Sequence, residues 1–226
     1  MPRPRVSKGR VINKSFYIFC EGKKTEPYYF KRLIASLSFP LKLARVQCVD
    51  SEHTDLVGLV RDAMSHRNQT GSPDDEYWIV VDKDGYPKHP EGFDTARANK
   101  IKIAFSSICF EFWLVLHCIY RTPAKECCRD LIRDILADYI PDYEKNRADI
   151  FDLVSCENGL AKAIRNARRF RADHGNESIP VYKRNPYTDV DILVVSLLEF
   201  RKQIAQRYLE RNGQRIQEIN DLLDSI

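Results

Sequence analysis

Two short segments, residues 15–20 (SFYIFC) and residues 77–81 (YWIVV), are apolar on both alternations. A strand with one wet face alternates apolar and polar residues, so a run without alternation needs protein on both sides. That demand points to a sheet covered by helices on both faces. Each segment is also followed at once by acid: Glu21-Gly22 after the first, Asp82-Lys83-Asp84-Gly85 after the second.

The intervening pattern is helical. Thr25 is the predicted N-cap of a helix with Glu26 and Pro27 in its first turn, where an acid suits the dipole and proline costs little. Tyr29, Phe30, Leu33, Ile34 and Leu37 follow at helical spacing. Residues 41–49 read as a strand, Thr54 or Asp55 caps a helix carrying Leu56, Leu59, Val60 and Ala63, and residues 69–75 are turn-rich. Residues 101–105 (IKIAF) read as a fourth strand. This alternation predicts an α/β fold with a central, mainly parallel, doubly wound sheet. Beyond it the pattern turns helical. Residues 110–119 are nearly all apolar, residues 126–139 are amphipathic, and Leu160, Ala163, Ile164, Ala167 and Phe170 form one stripe. Thr188 with Asp191 resembles a capping box opening a long helix through Leu193, Leu197, Phe200 and Ile204. The expected organisation is a basic flexible segment at 1–14, an α/β core at 15–120, and a mainly helical part at 121–226 packed on that core, with no clean linker between them.

A chain of 226 residues that is 43% hydrophobic can bury roughly 70% of its unfolded surface, so folding rather than disorder is expected. No apolar run approaches the ~20 residues of a membrane span, and the basic start lacks the apolar core of a secretion signal. Both observations point to the cytoplasm. The seven cysteines are odd in number and lack zinc-finger spacing. A structural zinc site and a disulfide framework are therefore not expected, and the thiols read as small hydrophobes.

In a parallel α/β sheet, ligands bind beyond the carboxyl ends of the strands, where Glu21, Asp82 and Asp84 fall. Residues two apart in an extended segment point the same way, so Asp82 and Asp84 can face one cation. Grouped carboxylates suit hard ions such as Mg²⁺ or Mn²⁺, which activate water and stabilise charge on a phosphodiester. Taken singly, each acid also reads as a strand terminator or turn residue. The combination carries the weight, because acids beside apolar strand ends need compensation.

Together, CEGKKTEPYYF, VVDKD and SSICFEFWLVLH resemble the RloB-like family of Toprim-domain proteins. A Toprim core carries a Glu after its first strand and an Asp-x-Asp after a later one, which Glu21 and Asp82/Asp84 match in order. The resemblance covers most of the chain, with weaker matches at NGLAKAIRNARRF and NPYTDVDILV. It implies a Toprim/Rossmann-like core and a metal-dependent nuclease acting on DNA or RNA, related to the OLD-family nucleases. It further implies an effector of bacterial anti-phage defence, acting by abortive infection with an ATPase partner. OLD-type nucleases use further acids for a second metal, and Glu26 and Glu111 are the positions nominated here. Glu26 reads equally well as a helix-start acid. Glu111 lies inside an apolar run, where it faces a metal, pairs with a base or reaches solvent. His117 reads as a satisfied core or supporting residue. Glu21 is left open between metal ligand and general base.

Candidate nucleic-acid contacts are Lys23 and Lys24 at a helix entrance, and Lys162, Arg165, Arg168 and Arg169, with Arg171 beside them, on a basic helix face. Each set also reads as a solvated surface. There is no phosphate-loop lysine motif, nucleophile elbow or His-Glu-x-x-His. ATP hydrolysis would therefore belong to the partner. The competing expectation is a non-catalytic module that binds nucleic acid or nucleotide and regulates that ATPase. An interaction scaffold is weaker, and a homo-oligomer stays open.

Overall fold

The computed structural model describes residues 14–39, 44–72, 74–83, 86–121, 127–212 and 224. Most of the basic N-terminal segment therefore lies outside the described residues, as do Asp84 and Gly85, residues 41–43 of the second predicted strand and residue 126. Lys14, the last residue of the basic segment, is held. Its Nζ lies 2.6 Å from Glu76 Oε1.

The strands are β1 (Ser15–Cys20), β2 (Arg45–Val49), β3 (Glu76–Asp82), β4 (Lys102–Ser107) and β5 (Tyr187–Thr188). They form one sheet in the order β2-β1-β3-β4-β5, parallel except for β5, which runs antiparallel to β4. The helices are α1 (Thr25–Ser36), α2 (Leu56–Thr70), α3 (His89–Ala98), α4 (Glu111–Cys118), α5 (Cys128–Asp134), α6 (Ile150–Ser155), α7 (Gly159–His174) and α8 (Val190–Asn212). This is the α/β class expected, with a mainly parallel sheet flanked by helices.

The lack of alternation in β1 and β3 has the cause inferred from the sequence. Phe16, Ile18, Trp78 and Val80 pack on the side of α1, α4, α7 and α8. Tyr17, Phe19, Tyr77, Ile79 and Val81 pack on the side of α2 and α3. Each such side chain, fully removed from water, contributes about 1.5–3 kcal/mol. α4 lies in the first of these cores, with residues Glu111 to His117 all buried.

Four local readings change. Thr25 is already helical and Lys24 occupies the cap position; the Thr25 hydroxyl instead donates to the backbone carbonyl of Lys145. The predicted amphipathic helix at 126–139 is shorter: α5 ends at Asp134, and a 3-10 turn covers Leu136–Asp138. The capping box at Thr188/Asp191 does not form. Thr188 Oγ1 accepts from the Val190 N–H at 3.4 Å, while both Asp191 oxygens are taken by Arg171 at 2.5 and 2.7 Å. Finally, β5 escaped the sequence reading because two residues are too short to show a period. By contrast, Asp55 caps α2 as predicted, accepting from the Gly58 N–H at 3.0 Å. Among the described residues no helix is long and apolar enough to cross a membrane.

Candidate functional site

Glu21 directly follows β1 and Asp82 ends the neighbouring β3, at the carboxyl edge of the sheet. The Asp82 backbone N–H donates to Glu21 Oε2 at 2.8 Å, so parallel pairing itself joins the two positions. Glu26 comes back to the same place from the first turn of α1. Its carboxylate lies over Gly22, where an added Cβ would sit 2.0 Å from Glu26 Oε2. Glu111 arrives from the start of α4 and is buried. Asp84, the fourth expected member, lies outside the described residues.

Asp82 is the electrostatic centre of this group. Burial pushes its carboxyl well above the usual carboxylate range, and the negative charges of Glu26, Glu111 and Glu21 push it further; the Phe110 backbone N–H opposes them. Asp82 Oδ1 is buried with no hydrogen-bond partner among the described residues. A lone buried acceptor surrounded by three carboxylates is unfavourable without a cation. The donor set is all oxygen, which fits a hard divalent ion such as Mg²⁺ or Mn²⁺.

Of the three readings open for Glu111, the structure shows pairing with a base. Tyr143 donates to Oε1 at 3.0 Å, and Lys145 Nζ lies 3.5 Å from the same oxygen. Partial burial works against the Lys145 ammonium, but Glu111, Asp82 and Glu26 outweigh it and raise its pKa. Lys145 and Tyr143 escaped the sequence reading because they lie in an irregular segment. The Thr25 hydroxyl bond to the Lys145 carbonyl ties that segment to α1, and no local pattern announces such a tie.

Next to Glu111, the sulfurs of Cys109 and Cys128 form a disulfide, a single bridge in a chain whose cysteines read mostly as small hydrophobes. Cys109, Glu111 and Cys128 place their ligand atoms within 4.8 Å of one another. A disulfide sulfur carries no proton. The 3.1 Å approach of Cys128 Sγ to Glu111 Oε2 is thus a hydrogen bond only in the reduced dithiol. That dithiol, with Glu111, is also a donor set for a softer cation.

His117 is a core residue. Tyr29 Oη lies 2.9 Å from Nε2 and the Val154 carbonyl 3.1 Å from Nδ1, and burial lowers its pKa to about 3. Lys23 and Lys24 are exposed beside the carboxylates. A cavity of about 280 Å³ opens there, between the ends of β1 and β2, with Glu21, Lys23, Ser51 and His53 in its wall. On α7, Arg165 and Arg168 are exposed and Lys162 is half-buried. Arg169 is engaged by Asp173 at 3.4 Å and lies over the Tyr120 ring at 4.1 Å. Arg171, expected beside the basic face, instead enters the buried pair with Asp191.

The family model for RloB-like proteins matches residues 16–197, and the chain belongs to that family. No curated protein and no solved structure matches the chain significantly.

Proposed function

We propose that this member of the RloB-like family is a Mg²⁺- or Mn²⁺-dependent nuclease, hydrolysing phosphodiester bonds of DNA or RNA at the Glu21, Glu26, Asp82 and Glu111 group. The observation that carries this reading is Asp82 Oδ1, buried without a partner among three other acids. Asp82, Glu21 and Glu26 are the residues that would hold the ion, with Asp84 as the expected further ligand. A divalent cation there supplies charge stabilisation for the phosphodiester and lowers the pKa of water.

The chain's own groups have separable tasks. Glu21, whose Oε2 accepts from the Asp82 N–H, would either complete the ion's ligands or take a proton from the attacking water. Glu111 is held by Tyr143 and Lys145 and supports the negative field from one side. Lys145, exposed and beside Glu111, is suited to meet a phosphate oxygen. Lys23 and Lys24 add positive charge at the same edge. By family resemblance, the biological setting is anti-phage defence with an ATPase partner.

The test is cleavage of DNA and RNA by purified protein with Mn²⁺. Glu21→Gln and Asp82→Asn are each expected to lower the rate at least about a hundredfold, on the scale of lost electrostatic stabilisation. Cleavage that survives both substitutions removes this site.

A second reading, a non-catalytic module regulating the ATPase, is favoured by Lys145, whose ammonium offsets the carboxylates without any metal. In that case calorimetry would find no Mn²⁺ binding to the wild type, and binding would appear in Lys145→Met.

A further inference from the structure

A second concavity lies at the same edge of the sheet, on the far side of β4. The path to it is short: Asp82 is paired with Ser106 across β3 and β4, and the Ser107 hydroxyl donates to Asn185 Oδ1 at 2.9 Å. Asn185 lines a cavity of about 380 Å³ formed by the end of α7, the following loop and the start of β5. Its volume is in the ~300–1,000 Å³ range of small-ligand sites.

The chemistry of this wall is the reverse of the carboxylate group. Arg171, His174, Lys183 and Arg184 line it, and no carboxylate does so among the described residues. Arg171 is neutralised by Asp191, so Lys183 and Arg184 carry the usable charge. Arg184 is held in place: its Nε donates to the Ile179 carbonyl at 2.8 Å, and its guanidinium lies 5.3 Å from the centre of the Tyr187 ring. The other guanidinium N–H groups form a planar fork that suits two oxygens of one phosphate. His174 is exposed and stacks on Phe170 at 4.6 Å and 15°, presenting a flat ring of the kind on which bases stack. Fixed guanidinium, lysine, amide and flat aromatic in one recess make up the donor set for a nucleotide.

We propose that this cavity binds one nucleotide unit of a nucleic-acid strand, its phosphate on Lys183 and Arg184 and its base toward His174, one strand of the sheet away from Asp82. The assignment deepens the nuclease reading and rests on it for the identity of the strand. It also answers a difficulty of that reading. Four carboxylates repel a polyanion, and the exposed face of α7 loses Arg169 and Arg171 to internal pairs. The basic cavity adds to the attraction that Lys23, Lys24 and Lys145 offer at that edge.

The test is fluorescence anisotropy of short 5′-labelled single strands, one DNA and one RNA, in EDTA so that cleavage plays no part. Lys183→Glu, at an exposed position, and Arg184→Gln are each expected to weaken binding about tenfold, and Lys183→Glu to lower the salt slope by about one. His174→Ala is expected to weaken binding without changing that slope. Wild-type binding in both cavity variants, or a wild-type chain that binds neither strand, overturns the proposal. The two readings fail separately. If the cavity variants weaken binding while the wild type cleaves nothing with Mn²⁺, hydrolysis falls and the cavity stands. If the wild type cleaves and the variants bind as it does, the cavity alone falls.

Discussion

Asp82 bears an electrostatic cost that function would explain. Its carboxylate is buried, one oxygen has no partner among the described residues, and Glu26, Glu111 and Glu21 all oppose its charge. Neutralising it should therefore stabilise the metal-free protein while removing activity. Asp82→Asn is expected to gain about 1 kcal/mol, which at this chain length raises Tm by about 2–4 °C. Melting curves in EDTA give the answer, and a variant that melts below the wild type contradicts the account. Gly22 tests the same group from its neighbour. A methyl there would overlap the Glu26 carboxylate, the far end of a side chain, so the carboxylate and not the backbone is what must shift. Gly22→Ala should keep the wild-type Tm in EDTA yet weaken Mn²⁺ binding several-fold by calorimetry. A lowered Tm would mean that Gly22 serves the turn and not the carboxylate.

At the scale of elements, what could be read from the sequence depended on length and period. β1 and β3 were legible because a run of five or six apolar residues without alternation, bounded by turn residues, fits a strand covered on both faces. Their terminal acids followed from the sheet rule. The helix at 110–119 was legible as a buried segment because its apolar run leaves no face for water. β5 was not legible, since two residues carry no period. The roles of Arg171 and Asp191 were not either, because helical spacing identified a basic face and a cap but could not show α7 crossing α8. Glu21 and Asp82 were found by position in the chain, whereas Lys145 and Tyr143 reach Glu111 across more than thirty residues of intervening chain with no shared motif. The Arg171–Asp191 pair offers an element-scale test. Asp191 is 2% exposed at its side chain, so removing only its partner strands a buried charge, which typically costs about 3–5 kcal/mol. Arg171→Leu should lose on that order in urea unfolding, and Arg171→Leu with Asp191→Leu should recover part of it. A double variant as unstable as the single one would show that packing, and not charge, joins α7 to α8.

Across the whole molecule, two buried titrating groups hold separate parts together and respond to pH in opposite directions. Asp189 accepts from the Phe105 N–H of β4 at 2.6 Å and from the Tyr187 hydroxyl of β5 at 3.2 Å. Burial, only partly opposed by that N–H and by Arg171, raises its pKa from 3.8 to about 7. His117 joins α4 to Tyr29 of α1 and to Val154 of α6, and burial lowers its pKa from 6.5 to about 3. Between pH 4 and 7 the folded chain keeps the Asp189 proton that the unfolded chain has released, so this group's contribution to stability falls as pH rises. Between pH 3 and 6.5 the unfolded chain protonates His117 while the folded chain does not, so that contribution rises with pH. The two slopes oppose each other over the window they share, about pH 4 to 6.5. Asp189→Asn removes the falling one, and the difference in Tm between variant and wild type should then climb steadily with pH across that window and level off above about pH 7. The comparison isolates Asp189, because every other titrating group is common to both chains. Parallel Tm curves from pH 4 to 7 would show that Asp189 is ionised in the folded protein at the same pH as in the unfolded chain, and that the junction of β4, β5 and α8 is held together by a charge.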